Sequence, residues 1–267
     1  MKAVFMGKHK RSTVGALHHL VERGCEVAAV VAPPNTDEVR DDQRLDRAAA
    51  EHGLQLATDS DLYDAIGDPS SASLDLEGTD LVLSFLFWRL IEPPLIELGT
   101  IGCLNFHPAP LPDWRGLGGY NVAVLEGLAE WGVSAHFVDE RFDTGDVVQV
   151  RRFPIDPKTE TALSLDIASQ EHLLALFREV IDLALSGEPL PREPQGEGRY
   201  VSREQFEEMR RVRPDDPPEV TERRIRAFWY PPHDGATLTV AGRDVTLVNR
   251  ALLEQASDAY RRAGIVP

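Results

Sequence analysis

Cysteine is almost missing from this chain of 267 residues: Cys25 and Cys103 stand alone, with no second cysteine or spaced histidine beside either. That excludes a disulfide framework and a cysteine-based zinc site, and leaves both as small core residues. Long hydrophobic runs are missing as well. No stretch approaches the roughly 20 consecutive apolar residues that span a bilayer, so a membrane is not an expected partner. The start, "MKAVFMGKHKRS", passes from strand-like residues into a basic loop, unlike a secretory leader, and the expected location is the cytoplasm. Positive charge is scarce: 28 lysines and arginines face 44 acidic residues, a net charge of −16. Such a surface repels polyanions, so nucleic acid is not an expected partner, although a small phosphorylated ligand needs only one basic pocket. Acidity of this size also serves plain solubility.

What is present is a hydrophobic fraction of 42%, enough for one large domain or one domain with a small appendage. The apolar runs "KAVFM" (2–6), "EVAAVVA" (26–32), "DLVLSFLF" (80–87), "IGCLNFH" (101–107) and "GVSAHFV" (132–138) read as strands. Between them Val14, Leu17, Leu20 and Val21 recur at helical spacing up to Gly24, and further helical stretches fall near 38–52 and 118–128. The clearest helix runs from Thr161 to Ser186, with Leu173, Leu176, Phe177, Val180, Ile181 and Ala184 on one stripe and Gly187 closing it. This alternation predicts an α/β fold with a mostly parallel, doubly wound sheet and helices on both faces. "GEPLPREPQGEGRY" (187–200) reads as a linker. The expected division is therefore 1–190 for the main domain and 191–267 for the linker and a small C-terminal α+β extension. That extension holds a helical segment, the aromatic turn "AFWYPPHDG", and a β-hairpin from "ATLTV" and "DVTLV" split by "AGR".

A doubly wound sheet invites a phosphate fingerprint after the first strand. The residues there, "GKHKRSTVG", fit neither G-x-G-x-x-G nor G-x-x-x-x-G-K-[ST]. Lys8, His9, Lys10 and Arg11 instead precede a helix N-terminus, where the dipole disfavours cations, so either solvent screens them or an anion belongs there.

The sharper signal is "NFHPAPLPDWRG" (105–116). In a strand, residues i and i+2 share a face, so Asn105 and His107 project together while Phe106 enters the opposite layer. Pro108 has no N–H and favours ending the strand, which sets both polar groups at a strand's carboxyl end, where open α/β sheets bind ligands. An asparagine N–H can donate to a developing oxyanion and a histidine can move a proton near neutral pH; together they suit acyl transfer to an amine. An isolated pair of this kind can equally well satisfy a turn. A second polar cluster, "DERFDTGDVV" (139–148), follows the next strand, with Gly145 permitting a tight turn. Asp143 there could orient His107, stabilise its charged form, or take a proton through water.

With these residues in view, "LSFLFWRLI" (83–91), "GCLNFHPAPLPDWRG" (102–116), "GVSAHFVDERFDTGDVV" (132–148) and, more loosely, "IRAFWYPPHDGATL" (225–238) resemble the N10-formyltetrahydrofolate-dependent formyltransferases, over nearly the whole chain. The resemblance implies a Rossmann-like fold, the co-substrate N10-formyltetrahydrofolate, no metal, and Asn105, His107 and Asp143 as catalytic residues. It further implies that the pterin lies near the loop after the third main strand, with Phe85, Leu86, Trp88, Leu90, Val138, Asp139 and Glu140 contributing. Core packing is the competing reading for Phe85, Leu86 and Leu90.

Within that family the motifs are most similar to the enzymes that formylate a nucleotide-linked amino sugar, of the kind used in lipopolysaccharide O-antigen biosynthesis; a dTDP-linked sugar is the expected substrate. Lys8, Lys10 and Arg115 would then meet the diphosphate, Arg115 foremost because guanidinium pairs bidentately with phosphate, and Gly116 is a further expected substrate contact. Tyr120 would touch the sugar, and Trp229 and Tyr230 would stack on the base. The two tail aromatics could as readily anchor the tail on its core or serve a homodimer interface. The alternatives are a formyltransferase acting on another amine, such as methionyl-tRNA or an amino-acid derivative, and a formyltetrahydrofolate hydrolase.

Overall fold

The computed structural model describes residues 1–34, 39–70 and 73–262. In chain order the elements are β1 (Lys2–Gly7), α1 (Arg11–Glu22), β2 (Glu26–Val31), α2 (Leu45–Glu51), β3 (Leu56–Ala57), α3 (Asp59–Gly67), β4 (Leu81–Phe85), α4 (Pro93–Ile96) and β5 (Gly102–His107). There follow β6 (Trp114–Gly116), α5 (Gly119–Glu126), β7 (Glu130–Phe137), β8 (Val147–Pro154), α6 (Ala162–Leu185), β9 (Arg199–Val201), α7 (Arg203–Met209), α8 (Pro218–Ala227), β10 (Thr237–Val240), β11 (Arg243–Thr246) and α9 (Arg250–Arg262). They form two compact units, neither continuous in sequence: Met1–Arg115 with Gly132–Arg152 and Ser169–Arg199, and Gly116–Trp131 with Phe153–Ala168 and the chain from Tyr200 onward.

The first unit is built on a seven-stranded sheet in the order β3-β2-β1-β4-β5-β7-β8. Pairing is parallel from β3 through to β5, and β7 joins β5 antiparallel. The parallel strands read as continuous apolar runs because both of their faces are covered. In β1, Val4 and Met6 enter a core with Leu62 of α3 and Leu95 of α4, while Phe5 points the other way onto Phe177 of α6, ring to ring at 6.0 Å. Phe177 also meets Phe85 of β4 at 5.6 Å and Phe106 of β5 at 4.7 Å. Cys25 and Cys103 are buried and unbridged, so the expected role as small core residues holds.

Two sequence expectations change here. The helical stretch expected near 38–52 is a 3-10 turn at Asp41–Gln43 followed by α2, because Arg44 between them is extended at ψ 105; residue 38 lies outside the described residues. The stretch 187–200 is bonded rather than loose. Glu193 exchanges backbone hydrogen bonds with Val147 of β8 at 2.8 and 2.9 Å, and Gln195 Nε2 donates to Gly145 O at 2.6 Å.

The second unit carries the expected hairpin, β10 pairing antiparallel with β11 across a two-residue turn at Ala241 and Gly242, both with positive φ (49° and 75°). In this unit Asn121 Nδ2 of α5 donates to Ala227 O at the end of α8, and Tyr230 Oη donates to the buried Asp166 carboxylate at 2.6 Å.

Candidate active site

Sheet register builds the site. Met6, Ser84, Asn105 and His136 stand opposite one another on β1, β4, β5 and β7, so one lateral row crosses four neighbouring strands. The next pair on the same face of β5 and β7, beyond Phe106 opposite Ala135, is His107 opposite Ser134. Asn105 and His107 therefore share one face at the carboxyl end of β5, with Phe106 wholly buried on the other, and the strand ends at His107 immediately before Pro108.

The row is hydrogen-bonded throughout its polar part. Ser84 Oγ donates to Asn105 Oδ1 at 2.7 Å, Asn105 Nδ2 lies 3.0 Å from His136 Nε2, and His136 Nδ1 lies 2.7 Å from the carbonyl of Phe137. A carbonyl only accepts, so His136 carries its proton on Nδ1 and presents a bare Nε2 to the asparagine amide. Burial, reinforced by the nearby His107 and opposed by Asp143, pushes the His136 value down to about 4, so this imidazole is neutral at physiological pH.

Asp143 arrives from the loop between β7 and β8. Its Oδ1 lies 3.5 Å from His107 Nδ1 and 3.7 Å from His136 Nε2, and all three side chains are largely shielded from solvent. His107 Nε2 is buried with no hydrogen-bond partner among the described residues. A buried orphan of this kind at a strand's carboxyl end calls for a partner that a ligand would supply. The loop is shaped to deliver the carboxylate. Asp143 sits at φ 56, a left-handed conformation that Asp tolerates better than most residues. Gly145 is required by close approach, since a Cβ there would lie 2.0 Å from Phe137 O. Thr144 Oγ1 donates to Asp139 at 2.6 Å, and the Arg141 N–H donates to the same carboxylate at 3.1 Å. Asp139 is thereby committed to holding the loop; Val138 donates its N–H to Cys103 O, and Glu140 is exposed.

The remaining anticipated residues fall in several settings. The Phe85 side chain is buried in the aromatic core and offers a ligand no side-chain surface. Leu86 turns the chain at φ 60, Trp88 and Leu90 are exposed, and Phe87 packs on Trp88 at 4.6 Å. Ion pairing of Arg89 with Asp59 pins this loop. Lys8 is exposed beside Phe85, whose carbonyl accepts its N–H at 3.4 Å, and Lys10 is the N-cap of α1. In the same run, His9 takes the Leu45 N–H on Nδ1 and faces Pro33 O through Nε2, and Arg11 pairs with Asp42. The Arg115 guanidinium donates to Gln195 Oε1 and to Gly196 O, both at 2.8 Å. In the second unit, a Cβ on Gly116 would meet the Tyr200 ring at 2.6 Å, Tyr120 packs on the buried Trp131, and Trp229 and Tyr230 are half-buried.

Sequence reasoning passed over Ser84 and His136. Ser84 is the one polar residue inside the apolar run of β4, and His136 follows Ser134 by two positions in the otherwise apolar part of β7; those interruptions were the available signal. Among the described residues no helix is long and apolar enough to cross a membrane, and no group of three or more His, Cys, Asp or Glu side chains could hold a metal ion.

The family described as formyl transferase matches residues 1–181 of the chain. The methionyl-tRNA formyltransferase of Geotalea uraniireducens is 31% identical over 199 residues, 73% of this chain and 62% of that protein. That of Myxococcus xanthus is 31% identical over 266 residues, 97% of this chain and 81% of the relative. The chain thus spans less than two thirds of the first curated relatives it matches, 62% and 52% of their lengths. Among solved structures, the N-formyltransferase of Helicobacter canadensis, in complex with folinic acid and dTDP-3-aminofucose, gives a TM-score of 0.70 at 19% identity, covering 94% of this chain and 89% of that one. A 4-N formyltransferase from Francisella tularensis gives 0.72 at 19% identity, covering 93% and 97%. At such identities these likenesses establish a shared fold.

Proposed function

Since the chain belongs to the formyl transferase family, we propose that it transfers a formyl group from N10-formyltetrahydrofolate to the primary amine of a nucleotide-linked amino sugar. The observation that carries the chemistry is the convergence of Asn105, His107 and Asp143 at the end of β5, with the buried His107 Nε2 lacking a hydrogen-bond partner among the described residues. The co-substrate supplies a formyl carbon already activated by its aryl nitrogen, so no Lewis acid is needed.

The chain's own groups then have distinct tasks. The amine attacks the formyl carbon and a C–N bond forms. Asn105 has one amide hydrogen committed to His136 and one left to donate to the oxygen on which negative charge develops. His107 takes the proton from the attacking amine and returns it to the departing nitrogen as the old C–N bond breaks, so no net proton is consumed. Asp143, facing His107 Nδ1, holds the imidazole and offsets the positive charge it gains.

For the acceptor, support comes from two sides. The structural neighbour from Helicobacter canadensis was solved with a dTDP-amino sugar, and a net charge of −16 opposes a polyanionic substrate. A second reading has its own support, because relatives at 31% identity act as methionyl-tRNA formyltransferases. One assay separates them: protein with N10-formyltetrahydrofolate and, in parallel, dTDP-linked and UDP-linked amino sugars, charged initiator tRNA, or no acceptor, read by mass spectrometry. One added formyl group on a nucleotide sugar is the expected result. Formyl on tRNA alone overturns the substrate, and formate without an acceptor makes the protein a hydrolase.

A further inference from the structure

We propose that His136 and Ser84 are positioning residues that lock the Asn105 carboxamide in the one orientation that keeps an N–H for the reacting oxygen; this rests on the formyl-transfer reading above. An asparagine amide has two nearly isosteric orientations, and only its neighbours decide between them. Here both neighbours vote the same way. His136 Nδ1 faces the Phe137 carbonyl at 2.7 Å, which forces the proton onto Nδ1 and leaves Nε2 as an acceptor. That bare nitrogen, 3.0 Å away, needs the amide NH₂ rather than the amide oxygen. Ser84 Oγ, 2.7 Å from Oδ1, supplies the hydrogen that the oxygen needs. Reversal of the amide would set two acceptors against each other at His136 and turn an oxygen towards the developing negative charge.

The arrangement depends on His136 staying neutral, since a proton on Nε2 would confront the amide N–H. The charged and titratable groups around it are His107, Asp143 and Asp139; Asp143 Oδ1, at 3.7 Å, favours a proton there, while burial and His107 oppose one. Burial wins, and the ring is 3% exposed. The geometry also separates His136 from His107. His107 has an orphan Nε2 available to a ligand, whereas both nitrogens of His136 are occupied by protein.

Two measurements test this. The first needs no turnover: imidazole ¹⁵N NMR of the intact protein between pH 5.5 and 8 should show His136 as the neutral Nδ1–H form throughout. A proton on Nε2 in that range overturns the proposal even if the enzyme is active. The second is kinetic, on parent protein and on His136→Leu, His136→Gln and Ser84→Ala, each checked for folding by its thermal midpoint. Leucine removes the acceptor and should lower kcat roughly 10²-fold with KM for the amine little changed. Glutamine restores an acceptor and should recover at least about tenfold of that loss, and Ser84→Ala should lose only several-fold because one vote remains. Should the leucine variant fail to fold, the glutamine and Ser84→Ala variants and the NMR readout still decide. Equal kcat in folded leucine and glutamine variants overturns the proposal. A parent protein that transfers formyl to no acceptor instead overturns the functional reading, leaving the tautomer result to stand or fall alone.

Discussion

At the scale of single residues the site sets activity against stability. Among the described residues nothing partners the buried Nε2 of His107, and an unpaired buried polar atom costs a protein about 1–3 kcal/mol. We therefore expect His107→Leu to lower turnover by roughly 10² or more while leaving the thermal midpoint unchanged or raised. A midpoint falling by many degrees would show that the imidazole is structural. Asp143 gives the complementary test. Its φ of 56° suits Asp or Asn and penalises Ala, so Asp143→Asn should keep the fold and lose roughly 10² in turnover, whereas Asp143→Ala should lose turnover and stability together. His136 adds a pH signature. Its folded-state value of about 4 lies below the ordinary 6.5, so the unfolded chain binds more protons between those values. Its contribution is fully present above pH 6.5 and is lost as pH falls towards 4, amounting to about 3 kcal/mol. Denaturant unfolding of the parent and of His136→Gln across that window should show the parent losing about 3 kcal/mol more than the variant as the pH falls.

At the scale of elements, position does the work that no single residue could. β5 presents Asn105 and His107 on one face because strands alternate, and that much is legible in "NFHP" alone, as is the end of the strand at Pro108. The partners are not legible there. Ser84 and His136 meet Asn105 only through the registers of β4 against β5 and of β5 against β7, and register is a tertiary property that an apolar run does not encode by itself. The 38–52 stretch is helical in part, a 3-10 turn and then α2, and is broken for a local reason, the extended Arg44 bonded to Asp46. The helix at 162–185 was readable because its apolar stripe is long, and Phe177 on that stripe carries the ring contacts behind β5. Phe177→Ala should cost about 3–5 kcal/mol, measured by denaturant unfolding. Gly145→Ala should act more selectively. A Cβ 2.0 Å from Phe137 O forces the loop to move, and the loop carries Asp143. We expect turnover to fall more steeply than stability, and the reverse order would show that the loop does not position the carboxylate.

At the scale of the whole molecule, charge separates the two candidate acceptors. Binding a tRNA means neutralising several phosphates, and each releases counterions, so affinity through 6–10 such contacts drops by about 10³–10⁵ between 50 and 200 mM salt. A chain with net charge −16 starts from repulsion against that ligand. A nucleoside diphosphate carries only two phosphates, which a single cationic patch can meet, and its binding should weaken by no more than about tenfold over the same range. Competition turns this into a test on one preparation: formylation of the preferred amino sugar is followed at both salt concentrations with and without excess uncharged tRNA. Shallow salt dependence and indifference to tRNA are expected. A steep loss of turnover with salt, or inhibition by tRNA at 50 mM that vanishes at 200 mM, would mean that a local basic surface overcomes the global charge, and the acceptor would then be sought among tRNAs.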